Sequence, residues 1–208
     1  MDWNKYKETF PDRYMQKSRI DEEINDANVW RMNRSLRILD IGGGKDGTFN
    51  KNRANDKFYL LDPNITVAPD GYQLISWNEL KDEKFDLIVA RGSLNYLIPD
   101  ELKEIKNHIK PSGMFIGNSF LLPTAINREY TINGIPTGIE KTIYEEVKLV
   151  FKPEWKGIIH HELIPFEGEK ITHQFYYYDI YKFISFFKPN NITLEVYGHN
   201  SVIIKCTG

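Results

Sequence analysis

Hydrophobic positions fall in short, nearly unbroken runs through the first part of the chain and in alternation later, and this change of period divides the sequence. Between Leu36 and Phe120 the runs LRILDI, KFYLLD, YQLIS, FDLIVA and MFIGNSF are separated by polar or helical segments. Runs this short and continuous suit strands buried on both faces, as in a parallel sheet covered by crossover helices. The clearest crossover spans residues 100–109, with Leu102, Ile105 and Ile109 on one face and Lys103, Glu104 and Lys106 on another. Pro111 to Gly113 is expected to end it. Upstream, Ile20, Ile24, Ala27 and Trp30 recur every three to four positions and predict an amphipathic helix within residues 12–33, started by Pro11.

After Pro123 the period becomes two. Ile143, Val147, Leu149 and Phe151 share one parity, residues 152–157 read as a turn, residues 158–166 alternate again, and Gly168 marks a further turn. This predicts an antiparallel, strand-rich insertion over residues 124–175. Asp179 is placed to cap a helix whose Ile180, Phe183, Ile184 and Phe187 form one stripe. The chain then reads as a β-hairpin, with Ile192, Leu194 and Val196 before the GHN turn and Val202, Ile204 and Cys206 after it.

Composition narrows the classes without naming one. A length of 208 residues favours a single domain, 1–208, with residues 1–35 as a helical cap. Lys plus Arg number 27 against 29 Asp plus Glu, so a net charge of −2 gives no global attraction to nucleic acid, and no basic strip interleaved with aromatics compensates. Cys206 is the only cysteine, which excludes an intrachain disulfide and reads as core. The first residues are polar and no run approaches the roughly 18 apolar residues of a membrane span. A cytoplasmic protein without a membrane partner is expected.

The candidate chemistry lies in LRILDIGGGKDG, where an apolar run ends in Asp40 and delivers Gly42, Gly43 and Gly44. A glycine turn at the carboxyl end of a buried strand lets backbone approach a bulky ligand, and a helix after Gly47 would present free amides to it. Asp62 closes the next run, where a carboxylate can accept hydrogen bonds from both hydroxyls of a ribose. A nucleoside-containing cofactor follows. Asp46 weighs against a dinucleotide and hence against an NAD(P)-dependent oxidoreductase, since a pyrophosphate wants uncompensated amides and the G-x-G-x-x-G spacing is absent.

The ordered set LDIGGGKDG, YLLD, FDLIVARGSLNYL and IKPSGMFIGNSF resembles the successive motifs of class I S-adenosylmethionine-dependent methyltransferases over most of residues 36–120, and the ending from Asp179 is similar to theirs. The resemblance implies an α/β, Rossmann-like, seven-stranded sheet of order 3-2-1-4-5-7-6 with its last strand antiparallel. It implies S-adenosyl-L-methionine as cofactor, with Asp40 oriented toward the methionine amino group, Gly42, Gly43 and Gly44 along the methionine and ribose, and Asp62 on the ribose hydroxyls. Pro63 and Asn64 would flank the adenine, and Ala90 and Arg91 would lie beside the methionine end. Asp46 departs from the family by standing where a third glycine is usual. After the third strand SWNEL replaces the usual acid: Trp77 either lies against the adenine or covers the core, and Asn78 is placed to bond the adenine.

Methyl transfer from a sulfonium is an in-line displacement governed by alignment, with a base needed where the acceptor must lose a proton. Ser93, Asn95 and Tyr96 follow the fourth strand, and Asn118 and Ser119 close the fifth. His160 and His161 are the candidate bases; with His173 they form no tight ligand spacing, so no metal is expected. The aromatic run FYYYDIY reads either as a pocket wall or as packing. The expected activity is methylation of an O or N atom of a small-molecule acceptor, the rival being a noncatalytic S-adenosylmethionine-binding or accessory protein on the same fold.

Overall fold

In the computed structural model, residues 17–49, 55–120, 146–152, 157–166, 169–197 and 201–208 are described. In chain order the strands are β1 (Arg37–Ile41), β2 (Lys57–Leu61), β3 (Tyr72–Leu74), β4 (Phe85–Ala90), β5 (Ile109–Phe120), β6 (Glu146–Lys152), β7 (Gly157–Phe166), β8 (Glu169–Tyr178), β9 (Asn191–Tyr197) and β10 (Ser201–Thr207). Seven of them form one sheet of order β3-β2-β1-β4-β5-β10-β9. β1 to β5 pair in parallel, while β10 runs antiparallel to both β5 and β9. Numbered within this sheet, the order is 3-2-1-4-5-7-6 with a reversed last strand, as the resemblance implies.

Alternation along the strands assigns side chains to two buried faces. Leu39, Ile41, Ile88, Ala90 and Phe115 meet Leu102 and Ile105 of α3 (Pro99–Ile105) and Phe183, Phe186 and Phe187 of α4 (Ile180–Phe187). Ile38, Leu60, Leu87, Val89, Ile116 and Ile203 meet Ile20 and Ile24 of α1 (Lys17–Asn25) and Val29. Every residue of β4 is buried, which is why its run shows no polar alternation. Full burial of such side chains contributes roughly 1.5–3 kcal/mol each. Asp179 caps α4 as expected, accepting from the amides of Tyr181 at 2.9 Å and Lys182 at 3.1 Å.

Two helix boundaries differ from the sequence reading. α3 stops at Ile105, a tight turn covers Lys106–His108, and β5 already begins at Ile109. Pro111 to Gly113 therefore lies inside β5, where the register with β4 shifts between Phe85 and Leu87. A β-carbon on Gly113 would lie 2.7 Å from the Phe85 carbonyl oxygen, so the glycine admits a bulge rather than a terminus. The N-terminal helix ends at Asn25, and a separate turn, Asn28–Arg31, brings Val29 into the core; Pro11 lies outside the described residues.

The strand-rich segment is a second antiparallel sheet, β6-β7-β8. Its third strand runs to Tyr178, past the expected boundary at 175. Two reciprocal hydrogen bonds tie it to the chain after β4: Asn95 Nδ2 donates to the Tyr176 carbonyl at 2.8 Å, and the Tyr178 hydroxyl donates to the Leu97 carbonyl at 2.9 Å. The second sheet thus joins the main one at the carboxyl end of β4. Among the described residues no helix is long and apolar enough to cross a membrane.

At the opposite end of β4 the fully buried Asp86 accepts from the Arg37 amide and from Lys110 Nζ, each at 2.8 Å, and pairs with Arg34 at 2.6 Å. Burial opposes its charge, but Lys110, the Arg37 amide and Arg34 outweigh it and hold the carboxyl below the usual carboxylate range. Asp86→Ala should cost about 3 kcal/mol in urea unfolding, because it removes the shared acceptor of three donors. With its pKa lowered on folding, Asp86 stabilises the wild type above about pH 4 and ceases to as pH falls through the lowered value, a loss absent from the variant.

Candidate functional site

The loop after β1 is organised around Asp40, whose side chain has no exposed surface. Thr48 donates twice, its amide to Asp40 Oδ2 at 2.6 Å and its hydroxyl to Oδ1 at 2.8 Å. The Tyr72 hydroxyl donates to Oδ2 at 3.3 Å and accepts from the Phe49 amide at 3.0 Å. Burial pushes the Asp40 carboxyl up to about 6, while Thr48, Tyr72 and the Arg91 charge act in the opposite direction. A turn covers Gly44–Asp46, and residues 50–54, on which the helix expected after Gly47 falls, lie outside the described residues.

The glycines of this loop serve two ends. A β-carbon on Gly43 would lie 2.2 Å from Asp40 Oδ2, one on Gly47 would meet the Tyr72 ring at 2.5 Å, and one on Gly42 would meet Ser93 at the same distance. These three make room for protein. Gly44, at φ +71°, and Gly92 after β4, at φ +75°, have nothing within 4 Å of that position and line open space. Asp46 is exposed.

Asp62, just past β2, faces this turn. Its Oδ2 accepts from the Gly44 amide at 3.1 Å and its Oδ1 from the Asn64 amide at 2.9 Å, so the ends of β1 and β2 are joined through one carboxylate. Pro63 and Asn64 are exposed beside it. Ala90 is buried at the end of β4, and Arg91 pairs with Asp21 of α1 at 2.6 Å. Trp77 and Asn78 open the short helix α2 (Trp77–Leu80); Trp77 is half-buried against the core and Asn78 is exposed. Ser76 and Glu79 form a capping box, a local signal that the S-x-x-E spacing carries.

After β4, Ser93 is buried with its hydroxyl donating to the Ile41 carbonyl. Asn118 accepts from the Gly92 amide at 2.7 Å, and the Ser119 hydroxyl donates to Asn95 Oδ1 at 3.3 Å. Asn95 is thus engaged at both ends of its amide, by Ser119 and by β8. His160 and His161 lie on β7, paired in register with Phe175 and Gln174 of β8, and their side chains lie outside those described. The aromatic run divides: Tyr178 is fully buried against Phe183 and Phe186, whereas Tyr181 is exposed. Tyr72 and Thr48 were not singled out by sequence, because neither stands in a motif and their contacts with Asp40 span 32 and 8 positions.

No protein-family model and no curated protein matches the sequence. Solved structures do match in shape. The PH0226 protein from Pyrococcus horikoshii OT3 superposes with a TM-score of 0.56 at 18% identity, covering 98% of each chain. An S-adenosylmethionine-dependent methyltransferase from Clostridium acetobutylicum gives 0.54 at 13% identity, covering 99% of this chain and 98% of its own. The fold is that of the class I S-adenosylmethionine-dependent methyltransferases. The glycopeptide N-methyltransferase MtfA, complexed with S-adenosylmethionine, gives 0.53 at 14% identity over 92% of this chain and 93% of its own. On this methyltransferase fold, Asp40, Gly44, Asp62, Arg91 and Gly92 all stand at the carboxyl ends of β1, β2 and β4, the end at which open α/β sheets bind ligands.

Since folding raises the Asp40 pKa from about 4 to about 6, the folded protein holds a proton in that interval that the unfolded chain has released. Wild-type stability should therefore fall as pH rises from about 4 to about 6. Asp40→Asn should remove that part of the slope when unfolding curves are compared across the interval.

Proposed function

We propose that this chain binds S-adenosyl-L-methionine at the ends of β1, β2 and β4 and transfers its methyl group to an O or N atom of a small-molecule acceptor. The observation that carries the reading is the Asp62 carboxylate bridging the Gly44 and Asn64 amides beside the open space that Gly44 borders. Each Asp62 oxygen accepts one amide and retains capacity for a second donor, which suits it to a pair of ribose hydroxyls. Gly44 and Gly92 leave room for the cofactor where any side chain would intrude. Asp40, held by Thr48 and Tyr72, and Arg91, paired with Asp21, are assigned to the methionine side, and Pro63, Asn64, Trp77 and Asn78 to the adenine side.

When bound, the cofactor supplies an electrophilic methyl on a sulfonium sulfur. The chain's task is then alignment and exclusion of water. The loop Gly92 to Tyr96 holds the acceptor side of the site, with Asn95 anchoring the second sheet over it. Residues 124–175 are assigned to the acceptor pocket, and His160 or His161 to proton removal where the acceptor carries a proton. Methyltransfer by MtfA to a glycopeptide nitrogen, on the same fold, supports an N acceptor as one of the two options. The single, buried cysteine is consistent with a cytoplasmic setting.

One observation favours a noncatalytic reading: Ser93 and Asn95 are both committed to protein partners. That reading predicts S-adenosylmethionine binding without methyl transfer to any member of an acceptor panel. For the favoured reading, Asp62→Ala should weaken S-adenosylmethionine binding by calorimetry at least tenfold, from the loss of two hydrogen bonds to a charged group. Wild-type affinity in that variant would remove Asp62 from the site. Radiolabelled methyl transfer to small nucleophiles, with His160→Ala and His161→Ala compared for the pH dependence of rate, tests turnover and the base.

A further inference from the structure

β3 is a three-residue edge strand, yet it sets a buried tyrosine against the loop that follows β1. One oxygen of Tyr72 meets both sides of that loop, donating to Asp40 at its start and accepting from the Phe49 amide beyond its end. The ring is fixed on both sides: it packs against Phe58 with centroids 5.5 Å apart, and Gly47 gives way to it where any β-carbon would lie 2.5 Å from the ring. Thr48 also grips Asp40, but Thr48 belongs to the loop and moves with it. Tyr72 belongs to the sheet and supplies a fixed reference.

We propose that Tyr72 is a positioning residue for the cofactor turn: through Asp40 and the Phe49 amide it holds residues 42–48 in the shape that presents the Gly44 amide and Asp62 to S-adenosylmethionine. The role rests on the cofactor reading above. The groups facing Asp40 are Tyr72 from β3, Thr48 from the loop and Arg91 from the end of β4, the last already paired with Asp21 of α1. Asp62 stands on the other side of the turn, on the Gly44 amide. Without the tyrosine hydroxyl Asp40 loses a donor that favours its ionised form, and the Phe49 amide loses its acceptor.

The test is Tyr72→Phe in the full chain, which keeps the ring and removes the oxygen. Carbon-13 NMR of the Asp40 carboxyl should show its midpoint moving up by about one pH unit. Calorimetry with S-adenosylmethionine should show about a tenfold loss of affinity near pH 6 that narrows near pH 8, and this pH-dependent part should vanish when Asp40→Asn is the background. An unmoved carboxyl midpoint, or an affinity loss equal at both pH values, would overturn the proposal and leave Tyr72 as packing. If the variant does not fold, hydrogen exchange of the Phe49 amide in the wild type decides: protection at the level of the strand amides supports the bridge, and free exchange overturns it. A wild type that binds no S-adenosylmethionine overturns the proposed function, while the carboxyl titration and the amide exchange still report on what Tyr72 holds.

Discussion

A carboxylate sealed from water near the carboxyl end of β1 is the constraint from which the rest of the loop follows. An ionised group with no exposed surface costs several kcal/mol unless it is surrounded by donors, and Asp40 is met by the Thr48 amide and hydroxyl and by the Tyr72 hydroxyl. Bringing Thr48 back to Asp40 forces the chain between them into a tight curl. That curl leaves no space for a side chain at Gly43 or Gly47, and it turns the Gly44 amide outward to Asp62. The shape of the loop is therefore set by internal electrostatics before any ligand enters.

The two ends of β4 show how differently buried acids are used in one sheet. Asp86 sits among a backbone amide, an ammonium and a guanidinium, and is held ionised as a staple between β1, β5 and the segment before β1. Asp40 receives weaker, mostly neutral donors and is left near the threshold of protonation. The staple lies at the amino end of β4, and the responsive acid near the carboxyl end of β1.

Much of the main sheet was legible because burial on both faces leaves a direct trace: FDLIVA is apolar apart from Asp86 because all of β4 is enclosed, and Asp179 announced α4 through a local capping bond. Boundaries failed where a residue's meaning depended on a distant partner. Pro111 to Gly113 looks like a helix terminator in isolation, but Phe85 across the strand pair makes it a bulge. The same limit applied to the site. Gly44 and Asp62, 18 positions apart, could be joined because one follows and the other closes an apolar run, whereas Tyr72 lies in a three-residue strand with no motif and acquires its importance through contact with Asp40 and Phe49. SWNEL also carries a local signal in its S-x-x-E spacing, the Ser76–Glu79 capping box that starts α2.

The joint between the two sheets has a consequence for how such a protein diversifies. Asn95 and Tyr178 each bind a backbone carbonyl on the opposite side, so each partner in the joint is recognised through its main chain. Main-chain acceptors survive substitution of the residues that carry them. Mutations elsewhere in β6, β7 and β8 can therefore accumulate without dissolving these two bonds, and the second sheet can change its side chains while the main sheet keeps its grip on it.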